Sequence, residues 1–219
     1  MPTDTEPRLP LSRDRILQAA LAIAAETGIA SLTMRRLGQT LGFEAMSLYN
    51  HVTNKDDVID GILDLVLAES ELPSLKEEWD TAIRSSAISV HQALRRHPWA
   101  CTLLMSPDHM RPARLRYMDA LLGSLRQAGF SAETTYHAYH VIDAHIFGFS
   151  FWQTSHSYTA DEASNLTATL EQIIPADDYP HLHEHAQQHL TDGPQHEVNT
   201  FEYGLDLILD GLKKTHDTP

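Results

Sequence analysis

The chain has one cysteine, Cys101, among its 219 residues. A lone cysteine cannot form a disulfide within the chain, which is typical of a protein in a reducing compartment. No apolar run approaches the roughly 18 to 20 residues that cross a bilayer. The start, MPTDTEPRLPLS, lacks the basic and apolar regions of a secretory signal. The sequence therefore predicts a cytoplasmic protein without a membrane partner, preceded by a disordered arm at residues 1–10.

Sequence patterns of catalysis are also missing. The chain contains no glycine-rich phosphate loop, no Gly-x-Ser-x-Gly elbow and no helical His-Glu-x-x-His pair. Its carboxylates are scattered, as on a solvated surface. Cys101 lies in the apolar segment WACTLLM, which indicates a buried side chain rather than a catalytic thiol. We therefore predict that the protein is not an enzyme and needs no cofactor.

Basic residues are few, and they are unevenly placed. The chain has 16 Lys and Arg against 30 Asp and Glu, for a formal net charge of −14. Residues 1–55 hold six basic and five acidic side chains, a net charge of +1, which leaves −15 for residues 56–219. Because phosphates repel an acidic surface, a nucleic-acid contact is expected only near the N-terminus.

Helical periodicity dominates the chain, and strand patterns are nearly absent. Ser12, Thr33 and Asn54 stand where helix caps are expected, ahead of helices that begin at residues 13, 34 and 55. Further helices are predicted over residues 76–97, 111–129, 132–156 and 198–215. We expect an all-α protein of about eight to ten helices, with a long polar loop over residues 175–195.

Residues 33–52 have the pattern of a helix-turn-helix, two short helices joined by a tight turn at Gly42. Five apolar side chains are spaced to form a small core: Leu37, Leu41, Phe43, Leu48 and Val52. Five small or polar side chains are left facing outward: Ala45, Met46, Ser47, Tyr49 and Asn50. Four basic side chains are expected near bases or phosphates: Arg35, Arg36, His51 and Lys55. This arrangement suits a helix laid in the DNA major groove.

The run T-M-R-R-L-x-x-x-L-G-F-E-x-x-S-L-Y-N-H-V-x-N-K-D-D-V resembles the DNA-binding domain of the tetracycline-repressor (TetR) family, whose pattern it matches at more than a dozen positions without a gap. The resemblance implies a DNA-binding domain at residues 11–71 and a helical ligand-binding and dimerisation domain at residues 72–219. One departure is Gly38, which stands where the family usually has alanine and costs about 1 kcal/mol of helix propensity.

The resemblance also implies a role for each residue of the motif. Phosphate contacts are expected from Thr33, Tyr49, His51 and Lys55. Arg35 would contact a base or a phosphate near the operator centre. The residues expected to face the bases are Ala45, Met46, Ser47 and Asn50. The expected partner is therefore a palindromic, double-stranded DNA operator, bound by a homodimer that acts as a repressor and is released by a small-molecule effector.

The C-terminal segments 122–156 and 201–214 resemble the paired dimerisation helices of the tetracycline-repressor branch. Four residues at i, i+3, i+4 and i+7 form an apolar stripe that we expect at the dimer contact: Leu205, Ile208, Leu209 and Leu212. Packing within the chain's own core is the alternative, and both can hold in a four-helix dimer bundle.

The family's magnesium–tetracycline site requires a histidine and a partner carboxylate, but this sequence has Leu104 or a neighbour and Trp152 at about those positions. We therefore predict no metal–tetracycline binding of that kind and no resident metal. The residues available suggest an apolar or aromatic effector. The candidate contacts are Trp99, Leu103, Leu104, Met105, His140, Phe149 and Trp152.

Four of the chain's 14 histidines lie in 181-HLHEHAQQH-189. His181 with His185, and His185 with His189, have the i, i+4 spacing that could hold zinc or nickel on one helical face. A metal-responsive regulator using residues 181–189 is therefore one alternative function. A helical protein-interaction module with a vestigial DNA-binding domain is another.

Overall fold

The computed structural model describes residues 10–109, 111–155 and 173–216, without the side chains of residues 155, 188–199 and 216. These residues form nine α-helices and no strand, as expected for an all-α protein. The helices are α1 (Arg13–Thr27), α2 (Met34–Leu41), α3 (Ala45–Leu48), α4 (Lys55–Ala68), α5 (Trp79–Arg96), α6 (Ala100–Leu104), α7 (Pro112–Gln127), α8 (Ala132–Ser155) and α9 (Pro180–His216). None of the helices in these ranges is long and apolar enough to span a bilayer.

The first helices begin at the residues that the caps predict. The side-chain oxygens of Ser12, Thr33 and Asn54 accept hydrogen bonds from backbone N–H groups in the first turns of α1, α2 and α4, at 3.3, 3.1 and 2.8 Å. These bonds satisfy donors that have no partner within the helix. Gly28 ends α1 with a φ of 81°, a conformation that glycine adopts without strain.

The chain divides into two compact units, which separate first between residues 72 and 73 but also place residues 92–120 with the N-terminal helices. The first unit contains residues 1–72 and 92–120, and the second contains residues 73–91 and 121–219. Sequence patterns gave no reason to group residues 92–120 with the N-terminal helices, because the hydrogen bonds that join them link residues far apart in the chain.

Three carboxylates of α4 and its C-cap hold residues 92–120 within the first unit. Asp60, which is 6% exposed, accepts a 2.7 Å hydrogen bond from His109 Nδ1 and pairs with Arg111. Asp64 accepts a 3.0 Å bond from the N–H of Ala113, in the first turn of α7. Glu69, the C-cap of α4, bonds to Arg96 and His97. The helix that follows the helix-turn-helix is thus bound along its length to this later segment.

In the second unit, α8 packs closely against α9. Phe147 of α8 and Phe201 and Leu205 of α9 are at most 1% exposed. His145 Nε2 donates a 2.9 Å hydrogen bond to the carbonyl of Phe201. A Cβ at Gly204 would lie 2.6 Å from His145 Cε1, so glycine is needed for this close approach.

The prediction of a long polar loop over residues 175–195 is wrong for most of that range. Helix α9 begins at Pro180 and runs to His216. Proline is compatible with the first helical position, because no intrahelical bond is lost there. A turn precedes it, closed by a 3.0 Å hydrogen bond from the N–H of Tyr179 to the carbonyl of Pro175.

Candidate DNA-binding and effector sites

The angle between α2 and α3 depends on two glycines. Gly42 lies in the left-handed region, with φ 74° and ψ 29°. The N–H of Phe43 then donates to the carbonyl of Gly38 at 2.9 Å. A Cβ at Gly38 would lie 2.8 Å from the Phe43 carbonyl oxygen and 3.1 Å from the Ala45 nitrogen. Glycine at position 38, the departure noted in the sequence, therefore allows the start of α3 to lie unusually close to α2.

The small core of the helix-turn-helix forms largely as predicted. Leu37 and Leu48 are fully buried and Val52 is 3% exposed, whereas Leu41 and Phe43 are half-buried. On the opposite side, Met46 is 75% and Tyr49 43% exposed. Asn50 is exposed, and Ala45 and Ser47 are half-buried. The second helix is shorter than its sequence pattern suggests, because α3 ends at Leu48 and residues 49–51 continue as turns.

The basic and hydroxyl side chains predicted to hold phosphates lie at the surface of the first unit. Thr33, Arg35 and His51 are exposed, and Arg36 and Lys55 are half-buried. The Thr33 Oγ1 atom accepts from the N–H of Arg36, which leaves its hydroxyl proton available to an acceptor such as phosphate. Lys55 is the first residue of α4, so its charge adds to the positive end of that helix.

An ion pair fixes the start of α4 against α1. Arg13 donates two hydrogen bonds to the Asp57 carboxylate, at 3.0 and 2.7 Å. The N–H of Thr53 donates to the same carboxylate at 2.8 Å. The hydrogen bond from Arg13, together with that from Thr53 and the positive charge of Arg13, lowers the pKa of Asp57 from 3.8 to about 2.

The second unit contains an aromatic cluster made of His91, His145, Phe149, Trp152 and Phe201. The His91 and Phe201 rings are stacked, with centroids 3.9 Å apart and an angle of 8° between their planes. His145 stacks on Phe201 at 5.0 Å, and Phe149 lies 5.5 Å from Trp152 and 5.6 Å from Phe201. Trp152 is 39% exposed, so the cluster extends from the core to the surface.

For one histidine of this cluster, the ring nitrogen that donates a hydrogen bond is defined. Ser150 Oγ donates to the carbonyl of Ile146 at 2.6 Å, so its oxygen accepts from His91 Nδ1 at 2.8 Å. Sequence reasoning missed His91 and Phe201. The available signal was a histidine on the apolar face of α5 that also carries Val90 and Leu94, both buried.

The predicted effector residues do not all belong to this cluster. Phe149 and Trp152 do, whereas His140 is exposed on α8, with its Nδ1 bonded to the Tyr136 carbonyl at 2.8 Å. The remaining four lie in the first unit, at and after the turn into α6: Trp99, Leu103, Leu104 and Met105. Leu104 is 3% and Met105 56% exposed.

Neither position expected to correspond to a metal–tetracycline ligand has a metal-coordinating atom, because Leu104 is a buried aliphatic residue and Trp152 an indole. Nearby, burial raises the pKa of the Cys101 thiol to about 11. A buried thiol with a raised pKa is poorly suited to act as a nucleophile.

The histidine-rich segment is helical rather than a loop. His181 and His185 are exposed in the first turns of α9, while the His189 side chain lies outside the described residues. His183, between them, bonds to the Ile174 carbonyl at 3.0 Å. Within the described parts of the chain, no three histidine, cysteine or acidic side chains are grouped as metal ligands.

The stripe predicted to face a partner subunit is partly buried within this chain. Leu205 and Leu209 are at most 3% exposed, and Ile208 and Leu212 are half-buried. The reason is that α9 places this stripe against its own unit. The large apolar side chains that α9 leaves exposed, among those the structure describes, include Leu182, Tyr203 and Leu207, at 48%, 67% and 58%.

The short helix pair around Gly42, its exposed outward face and the adjoining positive start of α4 define a helix-turn-helix DNA-binding protein. The second unit is helical over most of its described residues and contains the aromatic cluster. Residues 16–62 match the family described as bacterial regulatory proteins, tetR family, and residues 72–216 match the tetracyclin repressor-like C-terminal domain. The chain belongs to the TetR family and is a ligand-responsive DNA-binding transcriptional regulator, which confirms the resemblance seen in the sequence.

Relatives and solved structures extend over nearly the whole chain. The HTH-type transcriptional repressor DrrR1 of Streptomyces coeruleorubidus is 30% identical and aligns over 94% of this chain and 79% of its own. The class D tetracycline repressor protein of Escherichia coli is 29% identical over 93% of this chain and 89% of its own. The crystal structure of Streptomyces coelicolor ActR in complex with actinorhodin has a TM-score of 0.77 at 26% identity, covering 95% of this chain and all of the other.

Proposed function

We propose that this protein is a homodimeric repressor that binds a palindromic operator and is released by a small, largely apolar or aromatic effector. The observation that carries the proposal is the surface of the helix-turn-helix, where Met46, Tyr49 and Asn50 are exposed beside Arg35 and His51. Met46 and Tyr49 leave apolar surface open beside basic side chains, as expected of a surface that meets base edges and phosphates. The named repressors among the relatives support the repressor assignment.

Readout of the operator would combine two kinds of contact. Tyr49, Thr33, His51 and Lys55 would bind phosphates and set the register. Base edges would be met by Arg35 or Arg36 and by the outward face of α3, namely Ala45, Met46, Ser47 and Asn50. Because Ala45 and Met46 form no side-chain hydrogen bonds with bases, they would add apolar contact, for example to a thymine methyl group.

A second copy of the chain is the expected partner of the exposed face of α8 and α9. Val141 of α8 is 51% and Leu207 of α9 58% exposed. A Cβ added at Gly148 or Gly211 would meet no atom within 4 Å, so backbone is open to a neighbour at both positions. Small residues beside exposed apolar ones favour close packing of helices in a four-helix bundle. The match of residues 72–216 to the tetracyclin repressor-like C-terminal domain supports this pairing.

The effector would contact the aromatic residues. Phe149 and Trp152 would supply flat apolar surface in the second unit. A separate set of candidates lies in the first unit: Trp99, Leu103, Leu104 and Met105. The candidate polar contact is His140, on α8. Support comes from the similar ActR, which was crystallised with actinorhodin. A ligand of this kind would shift the equilibrium towards a dimer with the wrong spacing for the operator, by its difference in affinity for the two states.

The DNA assignment is tested by gel shift with Arg35→Ala and Tyr49→Ala. We expect each to weaken operator binding about tenfold or more, since a lost base or phosphate contact costs about 1 to 3 kcal/mol, while sedimentation still shows a dimer. Gln39→Ala is a matched control, because Gln39 is exposed on α2 but has no predicted contact with DNA. Wild-type affinity in both test variants would contradict the assignment.

The effector assignment is tested on Trp152→Ala. Its operator affinity without effector should equal that of the wild type, while release by compounds from an aromatic panel that includes actinorhodin should weaken at least about tenfold, as expected for losing a buried aromatic contact. A variant that fails to fold would indicate that Trp152 serves the core, and Phe149→Leu would then replace it in the same assay.

A further inference from the structure

Two neighbouring rings at the turn between α5 and α6 each carry a buried nitrogen. His97 is 9% exposed, and its Nε2 atom bonds to Glu69 at 2.8 Å. Its other nitrogen, Nδ1, is buried without a hydrogen-bond partner, and so is Nε1 of Trp99. The two rings are 6.1 Å apart at an angle of 73°. All three residues belong to the first unit.

An orphaned buried donor or acceptor is rare, and such groups usually mark a place where another polar group binds. Here two occur two residues apart. Both lie beside apolar residues: Ala100, which follows Trp99, is fully buried, and Cys101 and Leu104 are at most 3% exposed. A few polar atoms set among apolar side chains are typical of a small-molecule site.

The hydrogen-bonding character of each atom follows from its neighbours. The Glu69 carboxylate also accepts a 3.0 Å hydrogen bond from Arg96 Nε, so it acts as acceptor towards His97 as well. In the tautomer that this bond requires of a neutral imidazole, Nε2 carries the proton and Nδ1 is an acceptor. Trp99 Nε1 can only donate. The two rings, with centroids 6.1 Å apart, thus offer one acceptor and one donor.

We infer that His97 and Trp99 form the polar end of a ligand subsite, which takes an aromatic ring bearing adjacent hydroxyl and carbonyl groups. The ligand hydroxyl would donate to His97 Nδ1 and its carbonyl would accept from Trp99 Nε1. This inference rests on the proposed function, since it names the chemistry of the effector. It also places that ligand one hydrogen bond away from Glu69, the C-cap of α4.

Salicylamide is a suitable probe, because its phenol hydroxyl and amide carbonyl are adjacent. Benzamide, which lacks the hydroxyl, is its control. The chain has three tryptophans, so its indole N–H signals can be followed by ¹H–¹⁵N NMR, with Trp99→Phe assigning one of them. Salicylamide should shift the Trp99 signal in a saturable way and leave those of Trp79 and Trp152 in place. Benzamide should bind about fivefold more weakly, the equivalent of one net hydrogen bond.

Two variants of His97 separate its nitrogens. His97→Gln keeps an amide N–H at about the position of Nε2, and hence the bond to Glu69, but removes Nδ1. His97→Asn keeps a polar group near Nδ1 and loses the one that reaches Glu69. We expect the preference for salicylamide over benzamide to fall to within about twofold in His97→Gln, the loss of that hydrogen bond, and to persist in His97→Asn.

Three outcomes would refute the subsite. One is a Trp99 signal that neither compound moves, as expected if ordered water alone satisfies the two atoms. The others are equal affinity of the wild type for both compounds, and an unchanged preference for salicylamide in His97→Gln. Operator retention is measured on the same samples. If the protein fails to bind the operator but the Trp99 signal still shifts, the proposed operator binding is refuted and the subsite is supported. Operator binding without the shift would refute the subsite alone.

Discussion

The ion pair between Arg13 and Asp57 gives a sharp prediction, because it determines how α4 begins. Replacing Asp57 by asparagine keeps an amide oxygen that can accept from the N–H of Thr53. It removes the negative charge that Arg13 binds through two hydrogen bonds at 3.0 and 2.7 Å. The change therefore isolates the charge pair from the backbone contact.

The size of the effect follows from the pKa of Asp57, which falls from 3.8 to about 2. A difference of this size corresponds to at most about 2.4 kcal/mol of folding free energy. Side-chain exposures of 23% for Asp57 and 44% for Arg13 allow solvent to screen the pair. We therefore expect Asp57→Asn to lower the free energy of unfolding by about 1 to 2 kcal/mol at neutral pH.

The dependence on pH has a definite sign. Because the folded pKa of Asp57 lies below its unfolded value of 3.8, the contribution is complete above that value and is lost as the pH falls towards about 2. In urea unfolding followed by circular dichroism at fixed protein concentration, the difference between wild type and Asp57→Asn should be constant from about pH 7 to pH 5. It should shrink as the pH falls below about 4.

Asp56→Asn is the matched control, because Asp56 occupies the same first turn and is exposed. It removes the same charge near the same helix dipole, which is worth about 0.3 to 1 kcal/mol. Equal free energies of unfolding for the two variants would contradict this role of the Arg13–Asp57 pair. A stability difference between wild type and Asp57→Asn that stayed constant down to about pH 3 would contradict it as well.

Three further predictions concern single side chains. Gly204→Ala should lower the free energy of unfolding by about 1 to 3 kcal/mol, since its Cβ would lie 2.6 Å from the His145 ring. Gly123→Ala, where an added Cβ on α7 would meet open space, should have no such cost in the same urea titration. Arg84→Gln should lower the free energy of unfolding by about 1 kcal/mol, because its ion pairs with two carboxylates of α9 are lost. This value is small because Arg84 is 37% exposed and solvent screens the pairs. An unchanged unfolding midpoint would contradict this prediction. Lys55→Ala should reduce the slope of log affinity for operator against log salt by about one, measured by fluorescence anisotropy, and an unchanged slope would exclude a phosphate contact.

The sequence was most informative where structure is determined locally. Ser12, Thr33 and Asn54 cap the helices that the patterns predicted, because a cap depends on a hydrogen bond within three residues. The turn at Gly42 was predictable for the same reason, since a left-handed residue there favours glycine. The predicted core of the helix-turn-helix also forms, with Leu37 and Leu48 fully buried.

Long-range contacts escaped prediction. The link from Asp60 to His109 joins residues 49 positions apart, and no periodicity indicates it. The aromatic cluster was found only in part, because Phe149 and Trp152 stand in an aromatic run while His91 and Phe201 come from distant segments. The start of α9 was mistaken for a loop because its prolines and polar residues are typical of turns, yet proline at a first helical position is favourable.

The central claim is that the surface around α3 reads DNA, and selection of genomic fragments by the purified protein at low salt, followed by footprinting, tests it most directly. We expect protection of a palindromic site over two half-sites about 34 to 36 Å apart, which is one helical turn of DNA. We also expect that protection is lost when Tyr49 is replaced by alanine. Failure to retain any fragment would contradict the account and favour a helical protein-interaction module, and so would an equal footprint from Tyr49→Ala.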